Sequence, residues 1–176
     1  MASRNRKIAT ATIFGGIAFV ATAFLPSPLS DFLIIIPSFF VALGFIVLGR
    51  GGATYVAFVD GLLTTPFKLS FAPFSLIFAL FLGILVDVFG SAFRARKGSE
   101  ARTSMLSLAT MVSTAITGVA AYYITVKVTG LLNTDFSIAL TILIFGIASG
   151  AAAGYLASKV WNRNLRSAFE SEIVTN

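Results

Sequence analysis

The chain has no cysteine and no histidine among its 176 residues. Without cysteine there is no disulfide framework and no thiol chemistry. Without histidine the commonest general base and the commonest metal ligand are both missing. Charge is scarce as well: 11% of residues are charged, where a soluble domain carries about 25%. Acids are the rarer sign, seven against thirteen Lys and Arg. There is no GxSxG serine elbow and no GxxxxGK[ST] phosphate loop, and HExxH has no histidine to build it. The chain therefore lacks the means to hydrolyse ATP by itself. Acids paired as in a membrane metalloenzyme, or arginines crowded along one helix as in a voltage sensor, are also missing. These absences argue against an enzyme, a resident metal and a cofactor.

What fills the chain instead is apolar: 57% of residues are hydrophobic and 18 are Phe. The charges lie between long apolar runs, which is the pattern of an all-α integral membrane protein. The net charge of +6 does not point to nucleic acid, because the basic residues sit at the ends of apolar segments. Six spanning helices are predicted, over residues 8–25, 32–48, 53–66, 69–93, 104–126 and 136–160, followed by a polar tail over 161–176. With the N-terminus in the cytoplasm, eleven of the thirteen cations fall at inner ends and only Lys68 and Lys127 at outer ones. By the positive-inside rule this predicts a multi-pass protein of the cell membrane with both termini cytoplasmic. A competing reading takes the start as a signal peptide cleaved after Ala21-Thr22-Ala23. Pro26 and Pro28 favour a short outer turn instead.

Three features exceed plain apolar helix. Gly146, Gly150 and Gly154 recur every fourth residue, as do Ala11 and Gly15 on the first helix. Small residues at that spacing let two helix backbones approach closely, either within the molecule or at a docking face for another membrane subunit. Asp60 interrupts an apolar segment roughly 15 Å past Arg50 if the segment is helical. An acid near mid-membrane costs at least about 2.5–3.5 kcal/mol and normally faces a bundle interior. It is either a structural brace, neutral or hydrogen-bonded, or a contact for a substrate. Asp87, nearer the inner end, reads as a structural partner for an Arg. At the outer face the candidate substrate contacts are Lys68, Tyr122, Asn133 and Asp135. Tyr122 is also readable as an interface anchor, and Asn133 and Asp135 as helix caps.

Residues 48–63, LGRGGATYVAFVDGLL, and 71–90, FAPFSLIFALFLGILVDVFG, resemble the substrate-binding S component of energy-coupling factor transporters. Gly49-Arg50-Gly51-Gly52 matches the turn after the second helix. Asp60-Gly61-Leu62-Leu63 stands in the place of the acidic motif, and Pro73-Phe74-Ser75 opens the fourth helix. The resemblance implies a six-helix bundle that captures a vitamin or related micronutrient at its outer side. It also implies partners: a transmembrane coupling subunit and two ATP-binding-cassette ATPases. The family docks through small residues on the first helix, commonly Ala-x-x-x-Ala; here Gly15 stands where the second Ala is expected. The metal-carrying branch relies on an N-terminal histidine, so the resemblance implies a cargo other than cobalt or nickel. The rival readings are a non-transporting scaffold subunit, docking through Gly146, Gly150 and Gly154, and a small secondary transporter or channel.

Overall fold

The computed structural model describes residues 4–23, 34–67, 74–129 and 135–167. Each predicted segment overlaps a helix: α1 Arg4–Ala23, α2 Ile35–Leu48, α3 Gly52–Thr64, α4 Phe74–Ala92, α5 Thr103–Thr129 and α6 Phe136–Val160; the predicted ends at 24–25, 32–33 and 69–73 lie outside the described residues. Three stretches are long and apolar enough to cross a membrane: Phe74–Ala92, Thr103–Lys127 and Phe136–Leu165. Ile8–Ala23 and Ile35–Leu48 are apolar but shorter. At 13 residues, α3 is only about 20 Å long. Large apolar side chains stand exposed along the bundle, among them Ile13 and Ile17 on α1, Ile84 and Val88 on α4, and Ile144 and Phe145 on α6. Such a surface matches lipid, not water. The chain is an all-α membrane protein.

The core sits around α2. Residues 41–46 are buried without interruption, so this helix is enclosed on every side instead of showing one apolar stripe. It touches α1, α3 and α6, while α3 in turn packs on α1 and α4. The most extensive pairing is α5 with α6. Between α2 and α3 the chain reverses within Gly49-Arg50-Gly51, where Gly49 has φ 79° and Gly51 φ 82°. Only glycine enters that region freely, which is the physical reason for the glycines of this turn.

The start of α3 is capped from a distance. Gly51 precedes it and has no side chain to offer. Asp87 of α4 takes the role: its carboxylate accepts from Ala53 N at 3.3 Å, from Thr54 N at 2.9 Å and from Thr54 Oγ1 at 2.6 Å. A carboxylate there also meets the positive end of the helix dipole. Asp87 was expected to pair with an arginine; it holds two helices together through backbone amides instead.

Two further segments depart from expectation. The basic connection after α4 contains a short hairpin, β1 Arg96–Lys97 and β2 Glu100–Ala101, turning at Gly98. The predicted tail begins as helix: Trp161–Leu165 forms a π-helical turn continuing α6, and Trp161 is buried. The two segments bind each other. Trp161 Nε1 donates to Ser99 O at 2.8 Å. Asn162 Nδ2 donates to Ala101 O at 2.8 Å and its Oδ1 accepts from Ala101 N at 3.1 Å. Arg166 pairs with Glu100 at 2.7 Å.

Candidate functional site

Two clefts lie at opposite ends of the bundle. Tyr122 stands twenty residues beyond Arg102, or about 30 Å along α5. That is close to the thickness of a bilayer's hydrocarbon core.

The smaller cleft, about 210 Å³, is lined by Tyr122, Tyr123, Asp135 and Phe136 where α5 ends and α6 begins. Tyr122 is buried, and its hydroxyl clamps the backbone of Asp135, accepting from Asp135 N at 2.9 Å and donating to Asp135 O at 3.0 Å. Tyr123 packs edge-on against Tyr122 at 5.5 Å between ring centroids. Asp135 caps α6: its Oδ1 accepts from Ser137 N at 2.8 Å and from Ser137 Oγ at 2.7 Å. The hydroxyl and amide of Ser137 hold its pKa below the ordinary 3.8. The structure thus brings together two of the predicted contacts, Tyr122 and Asp135. Lys68 and Asn133 lie outside the described residues. Asp60 is buried on α3 with Thr64 Oγ1 3.4 Å from its Oδ1, and it lines neither of these two clefts. It is buried in the bundle and does not share the cleft of Tyr122 and Asp135.

The larger cleft, about 760 Å³, lies at the other end, and its cations are ones that in the sequence mark topology alone. It is lined by Arg50 from the α2–α3 turn, Arg94 at the end of α4, Arg96 and Lys97 on the hairpin, and Arg102 before α5. Phe45 and Gly90 also line it, and among the described residues no acid does. The available signal was the dense run RARKGSEAR; what was missing was the fold that turns Arg50 toward it. Arg94 ends α4 in a left-handed conformation, φ 50°. Ala95 N bonds Gly90 O at 2.9 Å and Arg94 N bonds Ser91 O at 3.1 Å, the paired bonds of a Schellman cap. Glycine is usual there, and a side chain in that region costs about 1 kcal/mol.

The small-residue faces are occupied within the chain. A Cβ on Gly150 would lie 2.6 Å from Thr110 O and 2.8 Å from Met111 Cα of α5, and one on Gly154 would lie 2.7 Å from Ser107 Cα. Gly146 meets Thr114 and Ala115 in the same way. Hydroxyls of α5 complete the seam: Thr110 Oγ1 donates to Gly150 O and Thr114 Oγ1 to Gly146 O, each at 2.6 Å. On α1, a Cβ at Gly15 would lie 2.7 Å from Val59 Cβ of α3, and Ala11 is buried in the core. Of the two readings open to Ala11, Gly15, Gly146, Gly150 and Gly154, the structure shows close packing within the chain. These residues are spent on internal packing, because two helices can meet at backbone distance only where side chains are missing.

Comparison with protein-family models, with curated proteins and with solved structures gives no match.

Proposed function

We propose that this chain is the substrate-capture subunit of an energy-coupling-factor importer. It takes up a vitamin-sized solute at the outer side of the cell membrane, with both termini in the cytoplasm. A coupling subunit and two ATPases energise delivery. The observation that carries this reading is the cleft of Tyr122, Tyr123, Asp135 and Phe136, set at the end of the bundle away from the cationic one. With the cationic end cytoplasmic, that cleft opens outward, where a captured solute arrives. Three aromatic side chains, Tyr122, Tyr123 and Phe136, and a carboxylate suit a small, partly aromatic group bearing hydrogen-bond donors or positive charge. The stretch carrying the family resemblance also behaves as one unit: the Gly49–Gly51 reversal joins α2 to α3, and Asp87 ties α3 to α4. Asp60, buried on α3 beside Thr64, braces the bundle in this reading. The glycine face through which a scaffold would dock packs on α5.

The test is native mass spectrometry of the detergent-purified protein expressed in rich medium, with small molecules identified. A stoichiometric vitamin-sized ligand is expected, and Tyr123→Ala should reduce its retention by roughly tenfold, from loss of one stacking face. A protein that stays empty through a subsequent screen of vitamins and their precursors rejects the capture reading.

A further inference from the structure

The proposed capture of a solute makes no use of the larger cleft, and the inference that this cleft carries stands apart from that reading. Its five cations come from two stretches of chain, Arg50 from the α2–α3 turn and Arg94, Arg96, Lys97 and Arg102 from the connection between α4 and α5. Orientation in a membrane requires cations at helix ends; it does not require them to line one cavity. Among the described residues none of the five is paired with a carboxylate. The acids nearest in the chain are committed elsewhere, Glu100 to Arg166 at 2.7 Å and Asp87 to the start of α3. Like charges gathered in this way raise a positive potential that an anion relieves. Guanidinium forks match phosphate oxygens two at a time. The cavity, about 760 Å³, falls within the size of small-ligand sites. Phe45 and Gly90 give it an apolar wall beside the charges.

We propose that this cleft binds a phosphate-bearing anion. Its position at the ends of α2 and α4 puts it at headgroup depth in a bilayer, so an anionic phospholipid is one source of the phosphate. A free phosphorylated small molecule from the aqueous side is the other.

The test uses the full chain in phosphatidylcholine nanodiscs, with and without phosphatidylglycerol. Native mass spectrometry counts retained phosphatidylglycerol. Trp161, the only tryptophan, bonds Ser99 beside Gly98 of the cleft wall, so its fluorescence reports titration with inorganic pyrophosphate. The variant is Arg94→Gly with Lys97→Gln, since glycine adopts the backbone of position 94 without strain. Loss of two cations should weaken binding roughly thirtyfold, at about fivefold for each. Lys97→Gln alone, on an exposed hairpin, should weaken it about fivefold and serves if the double variant misfolds. Phosphatidylglycerol retention without a pyrophosphate response assigns the site to lipid; a pyrophosphate response in pure phosphatidylcholine assigns it to a soluble phosphate. Failure of both probes to bind the native chain overturns the proposal, as does equal binding by the native and substituted chains.

Discussion

Asp87 shows how much one side chain decides here. Its carboxylate serves the first turn of α3 where Gly51 offers nothing. Removing it leaves part-buried amide donors without their partner. Asp87→Ala should lower stability by about 2–3 kcal/mol, read as a fall in melting temperature in detergent, with Asp87→Asn intermediate. An Asn variant as stable as the native chain would show that charge at the helix start matters little. Asp135 makes the complementary case at the far end, in water. Its pKa is lowered by Ser137, so its stabilisation is complete above about pH 3.8 and is lost as pH falls through the folded value. Asp135→Asn should remove that acid-side loss from the melting curve, and an unchanged pH profile would reject the link. Both acids were legible as isolated charges. Asp135 was legible as a helix cap too, but the partners of Asp87 were not, because it reaches back more than thirty residues to find them.

Helix pairs are set by what is missing at their contacts. The glycine stripe of α6 was visible as a spacing of four, but the spacing is silent about which helix fills it. The answer lies in α5, where Thr110 and Thr114 are placed to donate to the carbonyls that the glycines uncover. Gly150→Val would press methyls into Met111 Cα and Thr110 O and should destabilise by about 1–3 kcal/mol. Thermal unfolding in detergent measures this, and a neutral result would mean that the seam opens without loss. The hairpin and the turn at Trp161–Leu165 are the second such pairing. Neither was predicted: two residues per strand give no alternation to read, and a polar, charged sequence after an apolar helix reads as solvated tail until Trp161 and Asn162 are seen to meet Ser99 and Ala101.

For the molecule as a whole, orientation is the property from which the two clefts take their meaning. The absence of cysteine makes it directly measurable, because any introduced thiol is unique. Lys97→Cys in right-side-out vesicles should stay unlabelled by a membrane-impermeant maleimide until the membrane is broken, while Lys127→Cys should label at once. The reverse pattern would place the Tyr122–Asp135 cleft inside and remove the outward capture site. The bundle's exposed apolar side chains likewise predict aggregation when detergent is diluted below its micellar concentration, followed by light scattering.

Composition and periodicity by themselves determined that this is a helical membrane protein, where its six apolar segments lie and which ends carry the cations. Those properties depend on local runs, and transfer out of water acts on each run separately. The glycines of the Gly49–Gly51 turn were equally legible, since positive φ is a local demand. Tertiary structure alone decided that Asp87 caps α3, that Gly15 and Gly150 face neighbours in the same chain, and that Arg50 joins Arg94, Arg96, Lys97 and Arg102 around one cavity. Each of these depends on which helices become neighbours, and in lipid that choice rests on close packing and hydrogen bonding between distant segments, not on how apolar any one of them is.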